Sequence, residues 1–139
     1  MDTTAGLVRW DVPFAGAKDP SVSLITEQGG DAATLIVSPD GVDRYPKYLV
    51  RFDRVLAALC YEEALALNRG YPQAAGCACL WNDSPWLRAS RGWAVDFLRW
   101  PDLRHYVVFG GDSIVELLAS EPKIQQIDKK TVIETKHEV

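Results

Sequence analysis

Two Gly-Gly pairs constrain this chain more than any other feature. Gly29-Gly30 lies between the β-prone runs 21–26 and 32–38, and Gly110-Gly111-Asp112 lies between 105–109 and 113–119. Runs rich in β-branched and aromatic residues on either side of a glycine turn are a hairpin signal, because glycine takes up the positive φ that a tight turn requires. The second pair is the stronger, since both of its arms are dense in such residues.

The rest of the chain fits strands of similar length. Residues 7–14, ended by Pro13 and Gly16, read as an edge strand. Pro39-Asp40-Gly41 is a turn in which proline presets φ and glycine tolerates positive φ. Residues 47–52 and 55–61 are two further apolar runs. Asp53-Arg54 between them contains no glycine, which favours a bulge in one long strand over a hairpin. Residues 62–69 carry helix formers, with Gly70 at a stopping position. Residues 77–81 read as a short buried strand. Asp83-Ser84-Pro85 opens a helix: Ser84 can cap it, and Pro85 suits the first helical position, where its missing N–H costs nothing. Trp86, Trp93, Phe97 and Trp100 follow at helical spacing until Pro101, with Gly92 as a possible interruption. Residues 123–127 suggest an edge strand.

Strands joined by tight turns, without regular β-α-β alternation, imply an α+β fold. The expected form is a mainly antiparallel curved sheet or partial barrel of about seven strands with one or two covering helices. It would be a single domain over residues 1–127, with 128–139 as a flexible tail.

The chain has 139 residues, enough for a core without metals or disulfides. Its net charge of −4 argues against nucleic acid, whose phosphates need concentrated Lys and Arg. No basic leader precedes a long apolar run, and the longest apolar run, 55–60, is too short for a bilayer. With three cysteines, an odd number, the expected compartment is cytoplasmic, with no membrane partner.

Few residues carry the types and spacings that chemistry needs. Cys77 and Cys79 form a C-x-C pair. Structural zinc usually takes four ligands in C-x₂₋₄-C pairs, so the expectation is packed thiols on one strand face, with no metal and no cofactor. His105 could act as a base only with an orienting carboxylate and a nucleophile or water. No G-x-S-x-G motif is present. Glu116, inside Ile114-Val115-Glu116-Leu117-Leu118, shares a face with Ile114 and Leu118. If both sheet faces are covered, it must be buried and pair with an Arg, a Tyr or His105. Glu62-Glu63 fits a helix start. Trp81, Trp86, Trp93 and Trp100 could form an aromatic platform, although the i, i+4, i+7 spacing of Trp93, Phe97 and Trp100 is the commoner mark of a helix packing on a sheet. Arg88, Arg91, Arg99 and Arg104 place positive charge beside them, an Arg and Trp mixture favoured at interfaces.

The order Tyr48-Leu49-Val50-Arg51-Phe52, Glu62-Glu63, Ser84-Pro85-Trp86-Leu87, His105-Tyr106-Val107-Val108-Phe109 and Ile114 to Pro122 resembles a group of small uncharacterised bacterial proteins over about residues 45–122. The resemblance implies no catalytic residue. By analogy of size and style such proteins include toxin-neutralising immunity proteins.

Three expectations follow. The first is a non-enzymatic protein-binding module, an immunity protein being one form of it. The second is a small-molecule binder or unfamiliar enzyme, with a pocket between the sheet and the Trp-rich helix. The third is self-association as a homodimer. The candidate binding residues are Trp86, Arg88, Trp93, Trp100, His105, Tyr106 and Glu116, and no residue is assigned a catalytic role.

Overall fold

The computed structural model describes residues 6–27, 31–62, 76–93 and 102–129. Nine strands and one helix lie within them: β1 (Leu7–Arg9), β2 (Ser21–Thr26), β3 (Ala33–Ser38), β4 (Lys47–Phe52), β5 (Val55–Glu62), β6 (Ala78–Trp81), α1 (Pro85–Trp93), β7 (Arg104–Phe109), β8 (Ser113–Ala119) and β9 (Lys123–Ile127). They form two antiparallel sheets. One has the order β1-β6-β7-β8-β5 and the other β2-β3-β4-β9. The architecture is therefore mainly β, with two separate sheets and no closed barrel. The antiparallel pairing agrees with the hairpin signals, while the single curved seven-stranded sheet of an α+β fold is corrected.

Both glycine-linked hairpins form. β2 runs against β3 in unbroken register from Ser21↔Ser38 to Thr26↔Ala33, and β7 against β8 from Arg104↔Ala119 to Phe109↔Ile114. The expected bulge at Asp53-Arg54 is something else: these residues carry the chain from one sheet to the other. Val55 N–H donates to the Asp31 carbonyl at 2.7 Å, and Ser120 N–H donates to the Arg54 carbonyl at 3.0 Å, pinning the crossover. A true irregularity occurs further on, where β5 shifts register on β8 between Val55 and Ala57.

The strand period of two sorts side chains between the sheets. Ala33, Leu35 and Val37 of β3 and Tyr48, Val50 and Phe52 of β4 alternate inward and are buried. They meet Ala78, Tyr106, Val108, Val115, Leu117 and Ala119 from the five-stranded sheet, with Phe14 and Ala15 closing one end. Burying each large aliphatic side chain contributes about 1.5–3 kcal/mol, so this layer supplies most of the driving force. The opposite face of the five-stranded sheet holds Cys79, Trp81, Val107 and Ile114. Beside them lie Leu118, Leu87 of α1 and Leu103. β7 and β8 are thus covered on both faces.

Gly76 has φ +86°, and a Cβ there would stand 2.8 Å from the Ala15 carbonyl oxygen, so only glycine lets the chain turn into β6 at this point. Cys77, just after it, packs in the inter-sheet core, and its Sγ donates to the Phe14 carbonyl at 2.9 Å. Cys79 packs on the other side of the sheet. The two thiols are buried as expected but do not share a face, because Cys77 precedes the regular strand. The helix expected over 62–69 begins inside β5 at Glu62 and otherwise lies outside the described residues. The second half of the Trp-rich segment, 94–101, and tail residues 130–139 also lie outside them.

Burial pushes the Cys79 thiol up to about 11 and the Tyr106 hydroxyl up to about 12. Both groups hold their protons more tightly folded than unfolded. Their contribution is complete below about pH 9 and is lost as pH rises through 11 and 12. Urea unfolding should show stability falling by roughly 3 kcal/mol between pH 8 and pH 11, with the Cys79→Ala variant showing a smaller fall. A flat profile would contradict the burial of these two groups.

Candidate functional site

α1 begins where the sequence places it. The Ser84 Oγ accepts the Leu87 backbone N–H at 3.1 Å, and the Ser84 carbonyl accepts the Arg88 N–H at 2.9 Å. Ser84 is thus the N-cap, followed by proline at the first helical position. Asp83 just before it takes φ 51°, the left-handed region that Asp tolerates better than most residues. This turn swings the chain out of β6 and brings the Ser84 hydroxyl down onto the sheet.

There it meets a chain of buried polar groups. The Ser84 Oγ lies 2.6 Å from His105 Nδ1, and His105 Nε2 lies 2.7 Å from Glu116 Oε1. Tyr61 from β5 donates its hydroxyl proton to the other carboxylate oxygen of Glu116. The register explains the meeting. Val107 stands opposite Glu116, His105 opposite Leu118, and Tyr61 opposite Ile114, so the three polar side chains emerge from neighbouring strands on one face. Side-chain exposure of His105 and Glu116 is 0%. The ring of His105 is stacked on Trp81 at 5.2 Å and met edge-on by Trp86 at 5.2 Å.

The Ser84 oxygen accepts the Leu87 N–H, the imidazole bridges this hydroxyl to one oxygen of Glu116, and the Tyr61 hydroxyl donates to the other. No described buried side-chain nitrogen or oxygen lacks a hydrogen-bond partner. The order hydroxyl, imidazole, carboxylate is that of an acyl-transfer triad. Here, however, Ser84 is fully buried and its oxygen is already engaged by the helix it caps.

Of the expected site residues, His105 and Glu116 come together and Trp86 joins them. Tyr106 does not. It alternates to the opposite face of β7 and packs between the sheets, 5.0 Å from Trp10 and 5.1 Å from Phe52 by ring centroids. Arg88 is exposed on the solvent side of α1. The side chain of Trp93 and all of Trp100 lie outside what the structure describes. Ser84, Tyr61 and Trp81 complete the cluster and were not read as its members. Ser84 was legible only as a cap, and Tyr61 depends on the pairing register of β5, which carries no local signal.

The polar cluster lies between the sheet and the first turn of α1, and the rest of the segment expected to wall a pocket with the sheet lies outside the described residues. A groove of about 560 Å³ lies elsewhere, lined by Pro13, Phe14, Lys18, Asp19, Pro39 and Asp40 at the loops near β2 and β3. Among the described residues no group of three or more His, Cys, Asp or Glu side chains is placed to hold a metal ion. No described helix is long and apolar enough to cross a membrane. No protein-family model, curated protein or solved structure matches the chain.

The cluster acts as a clasp between α1 and three strands. Glu116→Ala removes the acceptor of the buried His105 and the half-buried Tyr61 and should destabilise by about 3–5 kcal/mol, as breaking a buried pair does. Ser84→Ala removes a cap and should cost about 1–2 kcal/mol. Urea unfolding of His105→Ala, Glu116→Ala and the double variant should be non-additive, the double costing less than the sum. Additive losses would mean that the two residues act independently.

Proposed function

We propose that this chain works by binding another protein rather than by chemistry of its own. The observation carrying this reading is the state of Ser84, His105 and Glu116. They have the order and spacing of a catalytic set, yet they are sealed from solvent and spent on holding α1 to the sheet. Binding is also favoured by the surface. Among the described residues the strands at the ends of the two sheets each carry one exposed large aliphatic residue: Val8 on β1, Leu59 on β5, Ile25 on β2 and Ile124 on β9. Open sheet edges with apolar side chains are a common means of protein recognition.

The net charge of −4 favours a basic partner, and neutralisation of a basic toxin is one form of this reading. A second reading, a hydrolytic or ligand site, is favoured by the 2.6 Å contact between Ser84 and His105. It requires the N-terminus of α1 to lift from the sheet before a substrate can reach the hydroxyl.

The test begins with a partner captured by the purified chain and re-formed from two pure proteins, with affinity measured by calorimetry. Val8→Lys, Leu59→Lys or Ile124→Lys should weaken the complex at least tenfold at one position, and added salt should weaken it further. Ser84→Ala, if folded, should bind as wild type. Covalent labelling of Ser84 by a fluorophosphonate, absent in His105→Ala, would replace this proposal with the hydrolytic one.

A further inference from the structure

The loop before β2 and the turn after β3 meet at one end of the molecule, and the groove of about 560 Å³ lies between them. Backbone bonds hold its walls. Ala15 N–H donates to the Val12 carbonyl and Ala17 N–H to the Phe14 carbonyl, both at 3.0 Å, so the loop is a run of tight turns. It is tied to its surroundings on two sides. Cys77 N–H donates to the Ala15 carbonyl at 2.9 Å, and Gly111 N–H donates to the Pro20 carbonyl at 2.8 Å. The buried ring of Phe14 anchors the loop against Trp10 and Tyr48, at centroid distances of 6.1 and 5.4 Å. On the other wall Gly41 N–H donates to the Ser38 carbonyl at 3.3 Å and closes the turn that carries Pro39 and Asp40. A groove formed in advance binds without the cost of ordering its walls.

The lining divides by chemistry. Pro13, Phe14 and Pro39 supply apolar surface, Asp19 and Asp40 supply two carboxylates, and Lys18 supplies one ammonium. The three charged residues are exposed, and among the described residues none forms an ion pair or a side-chain hydrogen bond with them. Asp19 is also held in position. Its carboxylate rests on Gly111, where a Cβ would collide with the carboxylate oxygen. Two carboxylates against one ammonium leave the groove negative, the sign of the whole chain.

We propose that this groove receives an arginine side chain of a basic partner protein. The aliphatic stem lies along the proline and phenylalanine surface, and the guanidinium reaches the carboxylates of Asp19 and Asp40. Arginine suits the site better than lysine. Its planar head presents several donors in a fixed fork, serves two acceptors at once, and gives up water more readily than an ammonium. Lys18 repels a second cation and so limits the groove to one. The inference rests on the protein-binding reading and adds a contact that the edge strands do not supply.

Amide NMR spectra of the full chain, titrated with N-acetylarginine amide, should show saturable shifts at Ala17, Lys18, Asp19 and Asp40. N-acetylcitrulline amide, of the same shape but uncharged, should give none. Asp19→Asn and Asp40→Asn should each weaken binding about threefold, the scale of an exposed ion pair, and Lys18→Ala should tighten it. Shifts that do not saturate, an equal response to the citrulline probe, unchanged affinity in both Asp variants, or weaker binding by Lys18→Ala would each overturn the proposal. A complex with a captured partner protein that keeps full affinity in Asp19→Asn and Asp40→Asn would overturn the groove alone and leave the binding reading standing. Failure to capture any protein partner would overturn the reading and, with it, the source of the arginine.

Discussion

The structure depends on a single constraint: β7 and β8 are covered on both faces. A strand with one wet face can carry polar residues at every second position at little cost. A strand between two apolar layers cannot, because a polar group there loses water and must find a partner inside the protein. β7 and β8 contain two such groups away from their ends, His105 and Glu116, and the register puts them side by side with their rings and oxygens in contact. Tyr61 and Ser84 satisfy what the pair leaves over. The helix is therefore fastened to the sheet by hydrogen bonds whose direction is fixed, in addition to apolar contact through Leu87 that could slide.

Much of this was legible in the residues. The glycine turns gave both hairpins, and the Ser84-Pro85 pair gave the start of α1. The apolar surroundings of Glu116 already required a buried partner, with tyrosine and histidine among the candidates. What was not legible depends on long-range geometry. Asp53-Arg54 reads as an irregularity within one strand, because a crossover between sheets needs no particular turn chemistry. Its signature is the pair of backbone bonds to Asp31 and Ser120, which are distant in sequence. Tyr106 sits beside His105 in the chain and was grouped with it, but strand alternation sends neighbours to opposite faces. Cys77 and Cys79 failed the converse rule. They are two apart, but the left-handed turn at Gly76 places Cys77 outside the regular strand.

The resemblance of Ser84, His105 and Glu116 to a catalytic set shows why geometry must be weighed with access. Hydroxyl, imidazole and carboxylate in sequence form the shortest way to satisfy a buried carboxylate on one side and a helix cap on the other. The same chain of donors and acceptors activates a nucleophile only when the hydroxyl oxygen is free to attack and a substrate can reach it. Here the oxygen accepts the Leu87 amide and the residue is fully buried. The indole rings of Trp81 and Trp86 around the imidazole complete an apolar wall, a use of tryptophan for packing rather than for ligand stacking.

The two layers differ in what they leave open. In the five-stranded sheet the central strands take both the inter-sheet core and the clasp, so its specificity is spent inward. The four-stranded sheet packs one face on that core and turns Ser23, Ile25, Thr34, Ile36, Leu49 and Arg51 outward, a face of mixed polarity. Its edge strands differ: β9 follows Pro122 and starts with Lys123, while β2 follows Pro20, whose carbonyl accepts the Gly111 N–H at 2.8 Å, so the turn between β7 and β8 of the other sheet is fastened to the start of β2.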